Sequence, residues 1–93
     1  MSVNYETIIV YSVANGEEAA QELSKKFEAM MAENGTFDSV DEWGKRKLAY
    51  PINDEEDGYY VLYNHTCEAD YPAELDRVLG ITDGVLRRLI IKK

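Results

Sequence analysis

His65 and Cys67 are the residues whose types and spacing first suggest chemistry, because an imidazole two positions from a thiol could activate a thiolate. Both lie in the aromatic run Gly58–Cys67, which predicts a strand, so period-two alternation places their side chains on one sheet face. They are the chain's single histidine and single cysteine, which leaves no cluster of metal-ligand spacing. We therefore expect an ordinary sheet histidine and a small buried cysteine, with no enzyme activity, no metal and no cofactor.

The acidic run and the glycines also lack the pattern of a reactive site. The carboxylates of 54–57 fall within Asn53–Gly58, which is typical of a solvated hairpin loop rather than of two carboxylates held across a cleft. The six glycines are dispersed and match no common phosphate-binding loop. The sequence thus favours a binding or structural protein over an enzyme.

Basic residues are segregated into two short segments. Seven of the ten Lys and Arg residues lie on predicted strands or their flanks: Lys45, Arg46, Lys47, Arg87, Arg88, Lys92 and Lys93. Because such side chains bind phosphate, these seven are the candidate nucleic-acid contacts. Charged strand edges also prevent edge-to-edge aggregation, so the pattern alone leaves both interpretations open.

Three aromatic residues, Trp43, Tyr50 and Tyr60, are the candidate anchors for a protein partner, because Tyr and Trp are favoured at interfaces. Strict alternation places Tyr60 on the face opposite Tyr59 and Tyr63. The strand lacks the aromatic signature of the RNA-recognition motif, so stacking of RNA bases is the weaker interpretation. A half-buried structural role for Trp43 remains open.

Composition bounds the class of protein. The 93 residues include 18 acidic and 10 basic side chains, which gives a formal net charge of −8, and 45% are hydrophobic. These values are typical of one globular domain over residues 1–93 and are too apolar for a disordered acidic tail. We expect no membrane segment, no signal peptide in Met1–Glu6, no DNA contact, and a cytoplasmic location that fits a lone cysteine. The net charge predicts that the isolated chain binds nucleic acid weakly.

Hydrophobic periodicity predicts the element order β-α-β-β-α-β. The expected elements are strands Tyr5–Val13, Thr36–Tyr50, Gly58–Cys67 and Val85–Ile91, a helix capped by Asn15 and ended by Asn34-Gly35, and a helix Tyr71–Leu79 ended by Gly80. Gly44 predicts a bulge in the second strand. Right-handed crossovers place both helices on one face of a four-stranded antiparallel sheet, which is the α+β, ferredoxin-like split β-α-β arrangement. The other face is expected to be uncovered.

The segment Asp41–Ile52, followed by Gly58–Val61, closely resembles the S-six family of bacterial small-subunit ribosomal proteins. The likeness extends to Tyr5-Glu6, Glu33–Gly35 and Asp83–Arg88, and so spans nearly the whole chain. It implies a structural, non-catalytic protein of the small ribosomal subunit that binds ribosomal RNA jointly with ribosomal protein S-eighteen. An acidic balance is unusual for a ribosomal protein and fits one that docks through a basic partner.

Two other classes of function remain possible at this point. The uncovered face could form the wall of a pocket in a small-molecule-binding or enzymatic module. Edge strands could also join copies of the chain, although the basic edges favour a monomer outside the ribosome.

Overall fold

A computed structural model of the protein describes residues 2–14, 16–52 and 55–93. The elements are β1 (Ser2–Ser12), α1 (Glu17–Glu33), β2 (Gly35–Ile52), β3 (Glu55–Glu68), α2 (Tyr71–Ile81) and β4 (Val85–Lys92). The four strands pair antiparallel in the order β2-β3-β1-β4. The predicted element order and ferredoxin-like α+β architecture are confirmed.

Several boundaries differ from the predicted ones. β3 begins at Glu55 rather than Gly58, because the ladder continues along the hairpin and pairs Ile52 with Glu55. α2 continues through Gly80 to Ile81, since one glycine costs a helix only about 1 kcal/mol. The Tyr50–Pro51 peptide bond is trans. Gly16 occupies the N-cap of α1; the predicted cap, Asn15, and residues 53–54 of the predicted loop lie outside the described residues.

One face of α1 packs on the sheet through side chains three and four positions apart: Ala20, Ser24, Phe27 and Met31 are buried. These residues form the stripe of the helix that faces the sheet, and Ser24 is its one polar member. Alternating residues of the central strands, such as Ile9, Val61 and Tyr63, complete this core together with residues of α2. Both helices therefore lie against the same sheet face.

A chain of three buried hydroxyls explains the polar member of that stripe. The Tyr63 hydroxyl lies 2.6 Å from the Tyr11 hydroxyl and 2.8 Å from Ser24 Oγ, so it joins β1, β3 and α1. Burial raises the pKa of Tyr63 to about 12 and raises that of Tyr11 as well, so all three groups stay neutral. Their hydrogen bonds offset the cost of removing polar atoms from water.

We expect Tyr63→Phe to lower the free energy of unfolding by about 1–3 kcal/mol, because it leaves two buried hydroxyls without their shared partner. The triple variant Tyr11→Phe, Ser24→Ala and Tyr63→Phe removes all three polar groups and should cost less than the sum of its single changes. Urea unfolding followed by circular dichroism measures both. Additive losses would contradict a coupled network.

His65 lies in the sheet, as predicted, and the structure shows that it is buried. Its Nε2 lies 2.8 Å from Thr7 Oγ1, and its ring stacks on Tyr5 with centroids 6.1 Å apart. Nδ1 is buried with no hydrogen-bond partner among the described residues. Desolvation lowers the pKa of His65, although the charge of Asp38 opposes this shift. Protonation would therefore place a poorly solvated charge in the core. Cys67 is buried, as predicted, and burial raises the pKa of its thiol.

Because the pKa of His65 is depressed in the folded protein, the unfolded chain takes up a proton first as the pH falls below about 6.5. Stability is therefore retained above that pH and lost below it. We expect the wild type to lose stability more steeply than His65→Gln between pH 7 and pH 5, by up to about 1.4 kcal/mol per pH unit. Urea unfolding across this range tests the difference, and parallel curves for the two proteins would exclude His65 as the cause.

Candidate functional site: the open sheet face

The helices leave the second face of the sheet uncovered, and strand register arranges its residues in rows. In the first row Tyr60 lies opposite Val10, which lies opposite Arg87. The next rows are Leu62–Ile8–Leu89 and Asn64–Glu6–Ile91. We call this surface the open face. The first row contains an aromatic and a basic side chain, the second row is apolar, and the third row is mainly polar. The middle of the open face is therefore an apolar strip.

A β-bulge places Trp43 on the open face. The register shifts between Glu42 and Gly44, and Gly44 has φ +81°, a conformation that glycine adopts without a Cβ penalty. The predicted bulge is confirmed. The Trp43 ring stacks on Tyr60 with centroids 6.3 Å apart and planes 17° apart, and its Nε1 donates to Asp41 Oδ2 at 3.0 Å. Trp43 is thus held in one orientation while 36% of it remains exposed.

Arg46 belongs to the same cluster. Its guanidinium carbon lies 5.5 Å from the centroid of the Trp43 ring, within the range of a cation–π interaction. We call Arg46, Trp43 and Tyr60 the aromatic stack. The sequence proposed Arg46 as a nucleic-acid contact, but the structure brings it against an aromatic candidate for the protein interface.

The end of the β2–β3 hairpin curls over the open face. Leu48 is buried, and a Cβ at Gly58 would lie 2.5 Å from Val10 Cγ1 and 3.2 Å from Leu48 Cδ2. This close approach explains why Val10 is only 3% exposed on a face without helices. Farther along the hairpin, Arg87 Nη1 donates to the Tyr50 hydroxyl at 3.4 Å, which joins the two outer strands across the face.

The open face contains a shallow groove of about 280 Å³. Its lining residues are Ile8, Val10, Trp43, Tyr60, Arg87, Arg88 and Leu89. A volume at the lower limit of small-molecule sites, with an apolar floor and few convergent polar groups, does not favour a pocket for a metabolite. The described residues also contain no group of three or more His, Cys, Asp or Glu side chains arranged to hold a metal ion.

The basic residues of β2 are divided between the two faces. Lys45 pairs with Tyr59 and Lys47 with Asp57, on the face that carries the helices, whereas Arg46 points to the open face. The three residues of this basic segment therefore do not share a face. Lys45 and Lys47 are exposed at the free edge of β2.

The basic residues of β4 lie at the opposite edge of the sheet, so the structure does not bring all seven candidates together. Arg88 Nε donates to Asp76 Oδ1 of α2 at 2.8 Å. Lys93 bonds the Asn64 side chain and lies 4.0 Å from Glu6 Oε2. Two more members, Arg87 on the open face and Lys92 opposite Tyr5, complete this group.

Sequence reasoning missed the aliphatic part of the site. Ile8, Val10 and Leu89 were assigned to strands without being distinguished from core residues. Their signal was the two-residue alternation along β1 and β4, which separates Ile8 and Val10 from Ile9 and separates Leu89 from Arg88. Alternation divides the residues of a strand between two faces, but it does not show which face the helices cover. The residues of the open face therefore could not be told from those of the core.

We expect Gly44→Ala to destabilise the bulge, because a Cβ at φ +81° costs about 1–2 kcal/mol although the space beside it is open. Gly44→Asn should cost less, since asparagine tolerates this conformation better. Urea unfolding measures the cost, and tryptophan fluorescence reports the environment of Trp43. Equal losses for Ala and Asn would argue against backbone strain at this position.

Comparison with known proteins gives a consistent result. The sequence model of the family described as "Ribosomal protein S6" matches residues 4–92. Proteins named "Small ribosomal subunit protein bS6" from Clostridium perfringens and Caldanaerobacter subterraneus subsp. tengcongensis are 51% and 49% identical, each over 96% of this chain and 95% of the relative.

A solved structure gives an independent comparison of the fold. The crystal structure titled 30S ribosomal protein S6 from Thermotoga maritima has a TM-score of 0.91 and covers 100% of this chain and 89% of that chain. At 23% identity this likeness supports the architecture alone. Within the described part of the chain, no helix combines the length and apolar character needed to cross a membrane.

Proposed function

We propose, because this chain belongs to the ribosomal protein S6 family, that it binds small-subunit ribosomal RNA jointly with ribosomal protein S-eighteen and supports subunit assembly and translation. Members of this family are structural proteins of the small ribosomal subunit, so the chain is a ribosomal protein and not an enzyme. The proposal extends this family assignment to a division of the surface between protein and RNA.

The observation that carries the proposal is the apolar exposure of the open face. Trp43, Leu89 and Ile91 are 36%, 52% and 41% exposed there, and Tyr50 is 57% exposed above it. Large apolar residues clustered on one uncovered surface are typical of an interaction site. We assign Trp43, Tyr50 and Tyr60 to the interface with the protein partner.

The RNA contacts are proposed among the seven basic residues at the two sheet edges. Lys45, Lys47 and Lys92 support this best, since no ion pair engages them within the described ranges. The other four, Arg46, Arg87, Arg88 and Lys93, each contact another side chain of the chain itself. Phosphate contacts at the edges would position RNA without reading its sequence.

The charge of the whole chain supports a shared mode of binding. A net charge of −8 opposes RNA binding by the isolated protein, whereas a cationic partner would neutralise part of it and add phosphate contacts of its own. Complementary charge would also speed and orient the encounter between the two proteins. We place the protein in the cytoplasm within the ribosome, as a monomer outside it, with no membrane or DNA partner.

We expect the double variant Lys45→Gln and Lys47→Gln to weaken RNA binding by the complex with S-eighteen. Loss of about two phosphate contacts should reduce the slope of log affinity against log salt by about 1.4–1.8. The matched control is Lys25→Gln with Lys26→Gln, which removes the same charge from exposed positions of α1. Filter binding from 50 to 300 mM salt measures both variants.

An unchanged slope in the Lys45 and Lys47 variant would remove these residues from the RNA contacts. Equal effects of the test and control variants would indicate that net charge alone governs binding. Absence of the wild-type protein from small subunits in sucrose gradients of growing cells would contradict the proposed function itself.

A further inference from the structure

We infer that Asn34 is a site of spontaneous modification, where the side-chain amide is lost through a ring formed with the backbone nitrogen of Gly35 when the junction between α1 and β2 opens. Asn34 directly precedes Gly35 and is exposed. Glycine has no Cβ beside its backbone nitrogen, so an Asn-Gly pair presents the least hindered nucleophile for this reaction. The inference is independent of the proposed function, because the reaction involves this chain alone and needs no partner.

The reaction consumes water and releases ammonia. The Gly35 nitrogen gives its proton to hydroxide and bonds to Asn34 Cγ, while the Cγ–Nδ2 bond breaks and Nδ2 takes a proton from water to leave as ammonia. Water then opens the resulting succinimide at either of its two carbonyl carbons. One product is aspartate with the ordinary backbone. The other is isoaspartate, in which the main chain passes through the side chain and gains one atom.

The folded junction keeps the two reacting atoms apart. Asn34 is the C-cap of α1, with φ −107° and ψ 18°. This ψ places the Gly35 nitrogen nearly eclipsed with the Asn34 nitrogen, whereas closure of a five-membered ring requires it to eclipse Cβ. The Asn34 side chain is also held, because Nδ2 donates to the Met30 carbonyl oxygen at 2.8 Å. The backbone N–H of Asn34 donates to the same oxygen at 3.2 Å.

The neighbouring strand prevents Gly35 from rotating into the reactive position. Gly35 begins β2 and pairs with Cys67 of β3. A Cβ at Gly35 would clash with the carbonyl oxygen of Thr66 and lie 3.0 Å from Cys67 Cα, so the two backbones are in close contact. This contact requires glycine at position 35. The ring therefore closes only after the start of β2 separates from β3.

The end of α1 is a place where such local opening is favoured. Its last turn, residues 30–33, contains no basic side chain and carries Glu33, so the negative end of the helix dipole is not neutralised. Asn34 and Gly35 are both exposed, so few buried contacts are lost when they separate from their neighbours. Opening of this junction therefore costs less free energy than unfolding of the whole domain.

The products do not fit the closed junction. An aspartate carboxylate at position 34 has no N–H for the Met30 carbonyl and places a negative charge beside Glu33 at the end of the helix. An isoaspartate adds one atom to the main chain immediately before Gly35, which its contact with Thr66 holds in register. Both products therefore leave the junction open more often than asparagine does.

Deamidation of the full chain tests the site and its protection. We expect Asn34 to react roughly tenfold or more slowly in the folded protein than in the same chain unfolded in urea, at equal pH and temperature. Mass spectrometry of tryptic peptides detects the replacement of the amide nitrogen by oxygen. Cleavage at Lys25 and Lys26 separates Asn34 from the other Asn-Gly pair, Asn15-Gly16.

A short Asn-Gly peptide, with and without urea, corrects these rates for the effect of the solvent. Equal rates at Asn34 in the folded and unfolded chain would overturn the inferred protection. The absence of any reaction at Asn34 in the unfolded chain would overturn the site itself.

A matched pair of alanine substitutions distinguishes local opening from global unfolding. Ala29→Gly lowers helix propensity near the end of α1 and should raise the rate at Asn34 in the folded protein about fivefold. Ala73→Gly makes the same change at an exposed position of α2 and should leave that rate within about twofold of wild type. Urea unfolding establishes that both variants fold. Equal acceleration by both would show that the reaction requires global unfolding, so the junction would not be the gate.

Asn34→Asp reproduces the charge of one product. We expect it to speed hydrogen exchange of the residue-34 amide about fivefold or more, after correction for the intrinsic exchange rate. Asn34→Ala loses the same side-chain hydrogen bond without adding charge, so its effect should be smaller. Exchange at the wild-type rate in Asn34→Asp would show that the closed junction accommodates the product, which contradicts the inferred effect of the modification.

Discussion

Two helices can cover only one face of a four-stranded sheet, and the functional surface of this protein depends on the face that they leave. The helix-covered face contains the tyrosine hydroxyl chain and His65, where each polar group is removed from water and most are paired within the protein. The open face keeps aromatic and aliphatic side chains partly in water. The same strands therefore carry a closed core and an exposed interaction surface, one on each side.

The shape of the open face comes from backbone features rather than from additional elements. The bulge before Gly44 turns Trp43 toward Tyr60, and the missing side chain at Gly58 lets Leu48 approach Val10. Together these features curl the long β2–β3 hairpin over one end of the sheet. A flat sheet with the same side chains would expose them without forming a groove, so local backbone geometry creates the concave surface.

Charge is distributed to match this division. Acidic side chains are concentrated on α1 and at Glu55–Asp57 of β3, while the lysines of β2 and β4 line the two outer edges of the sheet. A local cationic edge can contact phosphate even when the whole molecule is acidic, because contact energies depend on nearby charges and salt screens distant ones. Membership of the ribosomal protein S6 family and an acidic net charge are therefore compatible.

The sequence by itself determined the element order, the fold class and the separation of Tyr60 from Tyr63, because periods of two and 3.6 residues follow from backbone geometry alone. It also indicated the bulge at Gly44 and, through its likeness to a family, the general function. Only the tertiary structure decided that the basic segments lie on opposite edges, that Arg46 stacks on Trp43, and that Leu89 faces the groove. These facts depend on which strands become neighbours and on how the hairpin curls. Both are set by contacts between residues far apart in the chain, which local patterns do not encode.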